Sequence, residues 1–478
     1  MRPTRLRRPA AALLATALLT ACAATPDAGP SPTTTDPGAS DAPAVTIPDT
    51  PVGTQTRWVL DTLAGDGPTT AEARERFAQV FLDQVPAEQV ATVFVQLRGM
   101  GPFRVESYEE DGDAGRAMLR GADDARYSMD IAVDGDGRMV ALFLAPAAPV
   151  PTISGPAEAA DALAPAAPYS SLLLASVDGE GDDARCVDVE AKDADAQHPI
   201  GSMFKLYVAG AVARGVAEGT LTWDDELTLT EELRSLPSGT LQLEPPGTRI
   251  SVRRAAEQMI AISDNTATDL LIEAVGRDAV ERVLTEMGAS EPSANIPFLT
   301  PREAFQLALS DPRLLADWTA ASGLPADVAT APRDQDASTA VDDAQRAVLA
   351  DLPAWDLTVH PAAGATAFWP AGVDWFATAR DLCAAHVDLQ RLAATESGAP
   401  LREILSANPG IDLPGAAYVG FKGGSSVGEI GGSWYVERAD GAREVLVTLT
   451  AGGDAAAVPD AGWLMGVSQQ ALGGAKPQ

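Results

Sequence analysis

The sequence predicts an α+β protein of two globular domains, and three observations carry that reading. Between about residues 103 and 146, alternating apolar and polar residues are broken by Gly/Asp turns, the signature of an antiparallel meander. Further on, five apolar strand candidates are divided between the two ends of a long, Ala- and Leu-rich helical stretch. The chain's 478 residues are also too many for one ordinary core.

The first elements are an address and a tether. MRPTRLRRPA carries four arginines ahead of a short apolar run from Ala10 to Ala21. A basic start, a brief apolar stretch and small residues describe an export signal over residues 1–21, too short to span a bilayer permanently. The sequence LTAC, Leu19 to Cys22, resembles a bacterial lipobox; that resemblance implies lipidation of Cys22 and an extracytoplasmic, membrane-anchored lipoprotein of the cell envelope. Residues 22–54 are rich in Pro, Thr, Asp and Gly with few large apolar residues, so they read as a disordered tether.

A small α+β domain follows over residues 55–147. AEARERFAQVFLDQV predicts one helix over 71–85, and Pro86 opens another. FRVESYEE, GRAMLRG, ARYSMDIAV and RMVALFLAP are strands separated by DGD, ADD and DGDG. No catalytic set gathers there, and its acidic residues fall mainly in turns. A Pro-rich linker occupies residues 148–157.

The second domain spans residues 158–474. Ser171 to Val177 and Ala184 to Glu190 read as strands, as do GAAYVGFKGGSS, GGSWYVERADG and REVLVTLTAG, with AGWLMGVSQQAL as the last helix. Strands from both ends imply one five-stranded antiparallel sheet where the domain's termini meet, backed by a helical lobe. Cys186 and Cys383 either pair in an oxidising compartment or stay as two buried thiols.

Composition excludes some functions. With Lys+Arg at 34 against Asp+Glu at 67, the formal charge of −33 repels phosphate, so nucleic acid is a poor partner and a small-molecule or surface-bound substrate a better one. The only histidines, His198, His360 and His386, suggest no Ser-His-Asp arrangement. No metal or cofactor is called for.

Three short motifs carry chemistry. In QHPIGSMFKLYVAGAV, Ser202 and Lys205 lie at i and i+3 on one face of an otherwise apolar helix. Burial lowers a lysine's pKa, and a neutral amine beside a hydroxyl is what a serine nucleophile needs as its base. Ser263-Asp264-Asn265 interrupts a second apolar helical pattern, and Asp or Asn there also suits a helix cap. Lys422 lies on a strand and is followed by Gly423 and Gly424, which let a ligand approach the backbone; an edge-strand Lys is the structural counterpart of that reading.

In order, these motifs resemble the SxxK, SDN and KTG triad of the penicillin-recognising serine enzymes, above all the class A β-lactamases, over roughly residues 158–474. The resemblance implies a β-lactamase/transpeptidase-like fold with Ser202 as acylated nucleophile, Lys205 as its base and Ser263 as proton relay. It implies substrate contacts from Asn265, Lys422, Gly424, Ser425 and Ser426, with the backbone N–H groups of Ser202 and Ser425 as an oxyanion hole. Two departures stand out: KTG is here Lys422-Gly423-Gly424, and the loop that carries the family's deacylating Glu is short. Glu291, in Glu291-Pro292-Ser293-Ala294-Asn295, is the candidate deacylation base.

A helix-plus-meander domain ahead of such a domain resembles a two-domain actinobacterial group whose first domain is similar to the steroid-isomerase or cystatin-like fold. The expected activity is a serine hydrolase on β-lactams, related esters or D-Ala-ended peptidoglycan stems, ester chemistry being the easier outlet because an ester leaving group is readily expelled. The alternative is a non-hydrolytic penicillin- or peptidoglycan-binding envelope lipoprotein.

Overall fold

A computed structural model describes residues 45–473 apart from 83–84, 123, 237, 323–334, 358 and 360–365. The export signal, Cys22, nearly all of the tether and His360 lie outside the described residues. The chain divides into two units between Pro149 and Val150.

In the first unit, helix α1 (Pro51–Ala64) starts ahead of the expected boundary at 55. Thr50 caps it by accepting the Gly53 N–H at 3.0 Å, Pro51 needs no donor in the first turn, and Val52 is fully buried, which anchors the end of the expected tether. The single helix expected over 71–85 is instead two, α2 (Thr70–Arg76) and α3 (Gln79–Leu82). Local periodicity loses here to tertiary pairing. Phe77 turns extended and bridges to Met139, the Ala78 N–H donates to the Met139 carbonyl at 2.9 Å, and the Phe77 ring is buried against Trp58 and Phe81. Helix α4 (Ala87–Leu97) leads to strands β1 (Arg104–Asp111), β2 (Ala114–Arg120), β3 (Arg126–Val133) and β4 (Met139–Pro146), paired antiparallel in sequence order.

The second unit begins inside the expected linker, because Gln470 accepts the Ile153 N–H and donates to the Pro151 carbonyl. Helix α5 (Pro156–Leu163) and strands β5 (Tyr169–Asp178), β6 (Arg185–Lys192) and β7 (His198–Pro199) precede α6 (Lys205–Glu218). The helical lobe holds β8 (Glu226–Thr228), β9 (Arg249–Ser251), α7 (Val252–Ala261), α8 (Asn265–Val275), α9 (Arg277–Glu286), α10 (Pro301–Leu309), α11 (Pro312–Ser322) and α12 (Gln335–Ala350). Then come β10 (Phe376–Ala377), α13 (Ala379–Ala393), α14 (Pro400–Leu405), β11 (Ala416–Ser426), β12 (Glu429–Arg438), β13 (Arg443–Ala451) and α15 (Ala461–Ala471).

The main sheet has the order β11-β12-β13-β5-β6, antiparallel throughout. Strand alternation sorts its apolar residues between two cores. Leu173, Ala175, Tyr435, Val445 and Val447 face α6 and α13, whereas Leu172, Leu174, Trp434, Val436 and Leu446 face α5 and α15. Burial on both faces explains why these strands read as nearly continuous apolar runs. Helix α6 is buried all round, from Leu206 to Ala213, so any polar side chain on it must find partners inside the protein. Cys186 on β6 and Cys383 on α13 form a disulfide, which resolves the open choice at that pair.

Candidate active site

Ser202 lies on a tight 3-10 turn, Gly201–Phe204, that runs directly into α6. The turn places its hydroxyl 3.1 Å from the Lys205 amine. Lys205 is wholly buried, and its Nζ also lies 2.6 Å from the Ser263 carbonyl, 3.0 Å from Ser263 Oγ and 2.6 Å from Asn265 Oδ1. An ammonium has three protons to give, against four oxygens here. Burial, reinforced by the charge of Lys422, drives the Lys205 pKa well below the ordinary lysine range, against the opposing pull of Asp264 and Asp269. A neutral amine at this place would donate two protons and offer a lone pair to the Ser202 hydroxyl.

The SDN stretch is held by its middle residue. Asp264 caps α8 through the Ala267 N–H at 2.8 Å, while its other oxygen accepts the N–H groups of Thr240 and Leu241 at 2.7 and 2.8 Å. The cap reading of this motif holds, and the same cap sets Ser263 and Asn265 beside Lys205. Ser263 takes a left-handed backbone conformation, φ 56°, which aims its carbonyl at Lys205 and at Ser238 Oγ, 2.8 Å away. Ser238 belongs to none of the three sequence motifs. Asn265 gives its carbonyl to Lys205 and its amide to the Leu236 carbonyl at 3.1 Å. It thereby positions Lys205, and of its two amide N–H donors one is spent on Leu236.

Lys422 projects from β11 into the same cluster, its Nζ 3.1 Å from Ser263 Oγ and 2.7 Å from the Gly423 carbonyl. Its pKa falls to about 7, from desolvation. The sign of the stability effect follows. Between about pH 7 and the ordinary lysine value near 10.4, the unfolded chain binds a proton that the folded protein has released, so stability rises with pH. Melting curves of wild type and Lys422→Met should therefore converge as pH climbs from 7 to 10, with the variant the more stable at pH 7.

Gly424 packs against the nucleophile turn. A Cβ there would stand 2.0 Å from the Ile200 carbonyl oxygen and 2.9 Å from the Ser202 nitrogen, while one on Gly201 would stand 3.0 Å from the Ser425 nitrogen. The backbones of Ser202 and Ser425 thus lie side by side. The Ser425 and Ser426 side chains are exposed.

Among the described residues, no hydrogen bond joins Glu291 to Ser202, Lys205 or Ser263. Glu291 precedes a 3-10 turn, Pro292–Asn295, and Asn295 spends both ends of its amide on the Phe376 backbone of β10, at 2.7 and 2.8 Å. Among the described residues, the shell around the Lys205 amine holds no carboxylate.

Sheet order, helical lobe and the Ser202–Lys205–Ser263–Lys422 cluster define a β-lactamase-like domain, and residues 188–342 match the family model described as "Beta-lactamase enzyme family". Residues 47–139 match the model "ORF 12 gene product N-terminal". Similar solved structures include a β-lactamase from Sphaerobacter thermophilus DSM 20745, at 21% identity over 67% of this chain and 96% of that one, TM-score 0.43. Another, from Chitinophaga pinensis DSM 2588, has 16% identity over 65% and 94%, TM-score 0.40. A mutant of PBP-A in an acyl-enzyme complex with penicillin G has 18% identity over 66% and 93%, TM-score 0.42. No curated protein matches the chain.

Proposed function

We propose that this protein is an exported lipoprotein, anchored through Cys22, whose second unit is a serine hydrolase acting on esters or β-lactams through an acyl-Ser202 intermediate. The observation that carries the reading is the buried amine of Lys205, 3.1 Å from Ser202 Oγ, with more acceptors around it than an ammonium has protons. The neutral amine takes the Ser202 proton as Oγ attacks the substrate carbonyl. The resulting oxyanion turns towards the Ser202 and Ser425 N–H groups, a contribution worth about 3 kcal/mol per donor. Ser263 Oγ accepts from both lysines, which leaves its own proton for the leaving group, and Lys205 returns a proton to Ser263.

Release of product is the slow half. With no carboxylate hydrogen-bonded to Lys205 among the described residues, activation of the deacylating water falls to the lysine itself or to Glu291. Lys422-Gly423-Gly424 also lacks the hydroxyl that the family motif sets beside its lysine, which weakens capture of a substrate carboxylate and favours esters. For the first unit we propose the steroid-isomerase or cystatin-like fold, a reading supported by four helices packed with a four-stranded meander.

Whole-protein mass spectrometry after exposure to benzylpenicillin and to a p-nitrophenyl ester tests the reading. Both probes should add one acyl group to wild type and none to Ser202→Ala, with the penicilloyl adduct the longer-lived. An adduct that survives in Ser202→Ala, or no adduct from either probe, would refute the assignment. A Ser202 adduct that never decays would mean a penicillin-binding role without turnover.

A further inference from the structure

Two buried acids outside the motif residues lie against the nucleophile turn. Asp374, just ahead of β10, accepts the Gly201 N–H at 3.0 Å and the Trp375 N–H at 2.7 Å on one oxygen. Glu429 opens β12 and is 2% exposed; neither of its oxygens receives an N–H or hydroxyl donor, and its hydrogen-bond partner is the Asp374 carboxyl. Two buried carboxylates in contact cannot both ionise, so the pair keeps one proton, and Glu429 donates it to Asp374. Burial and the charge of Asp374 raise the Glu429 pKa well above its usual range, and burial raises that of Asp374 to about 6 against the hydrogen bonds it accepts, in keeping with a shared proton.

The pair joins two particular segments. Through Asp374 it grips Gly201, whose φ of 46° sets the peptide that presents the Ser202 N–H. Through Glu429 it belongs to the strand that pairs with the Ser425 segment, with Ser425 opposite Ile430 and Ser426 opposite Glu429. A Cβ on Gly201 would meet Glu429 Oε1 at 2.7 Å and the Ser425 nitrogen at 3.0 Å, so all three elements are in contact.

We propose that the Asp374–Glu429 acid pair clamps the two backbone segments that bear the oxyanion donors, which makes both acids positioning residues for acylation of Ser202. The inference rests on the acyl-Ser202 reading above for its kinetic consequence, but not for the clamp itself. Sequence gives no hint of it, because Gly201, Asp374 and Glu429 come from three distant stretches.

The test uses the full chain with Glu429→Met, which fills the space without a donor, and Glu429→Gln, which keeps one. Followed as the pre-steady-state burst with a p-nitrophenyl ester, so that kcat and KM are those of acylation and not of the slower release, Glu429→Met should lower kcat about 10- to 100-fold, part of what losing one oxyanion donor costs. Its KM should stay within about twofold, since a donor aimed at the oxyanion acts in the transition state and not on ground-state binding. Glu429→Gln should recover wild-type kcat. Hydrogen exchange at the Gly201 amide should quicken in Glu429→Met alone. A wild-type kcat in Glu429→Met, or a Glu429→Gln as slow as Glu429→Met, overturns the clamp. If wild type forms no Ser202 adduct, the functional reading fails, and Gly201 exchange decides the clamp separately: faster exchange in Glu429→Met upholds it, unchanged exchange overturns it.

Discussion

Lys205→Met is expected to slow acylation of Ser202 by about 10³-fold, within the range that a positioned general base contributes. Among the described residues, the Lys205 amine is the basic nitrogen within hydrogen-bonding distance of Ser202 Oγ, at 3.1 Å. Methionine matches the lysine stem in volume and carries no charge, so the variant should fold and, at neutral pH, melt above wild type. The gain has the same origin as the depressed pKa. At neutral pH the unfolded chain keeps the lysine proton that the folded protein must release or bury, and the substitution removes that penalty. Stopped-flow acylation by a p-nitrophenyl ester and thermal unfolding read the two effects together. A rate within threefold of wild type would sink Lys205 as the base, and a lower melting temperature would show that its hydrogen bonds outweigh its burial.

Gly424→Ala is expected to reduce acylation by at least about 10²-fold, the loss that follows when one oxyanion donor is displaced. The new methyl would stand 2.0 Å from the Ile200 carbonyl and 2.9 Å from the Ser202 nitrogen, both backbone atoms that cannot swing away. Strand β11 must back off from the nucleophile turn, and overpacking of this kind costs about 1–3 kcal/mol of stability. Gly423→Ala is the control. Its methyl meets the end of the Phe421 ring at 2.9 Å, a side chain and not the backbone of the nucleophile turn, so its effect on acylation should be much the smaller. Equal losses in the two variants would place the constraint in the strand as a whole and not in the contact with Ser202.

Much of the site was legible because its residues obey local rules. Ser202 and Lys205 share a face through helical spacing, Asp264 announces a cap, and Lys422 alternates inward along β11. Other parts were illegible for equally specific reasons. Asp374 and Glu429 follow no motif and meet only because β10 and the β11–β12 hairpin converge on Gly201. Asn295, in the turn after Glu291, gives both ends of its amide to the Phe376 backbone, a link to β10 that no local pattern announces. In the first unit, the helical period across Phe77 was genuine but yielded to pairing with Met139.

Sequence by itself determined the α+β class, the strands at both ends of the second unit and the identity of the cluster residues, since periodicity and turn chemistry are properties of neighbours along the chain. The tertiary structure decided the lowered pKa values of Lys205 and Lys422, the pairing of Cys186 with Cys383 and the joining of Asp374 to Glu429. Those depend on burial and charge, and both arise from contacts such as that of Lys422 with Ser263, 159 residues apart, which exist only once the chain has folded.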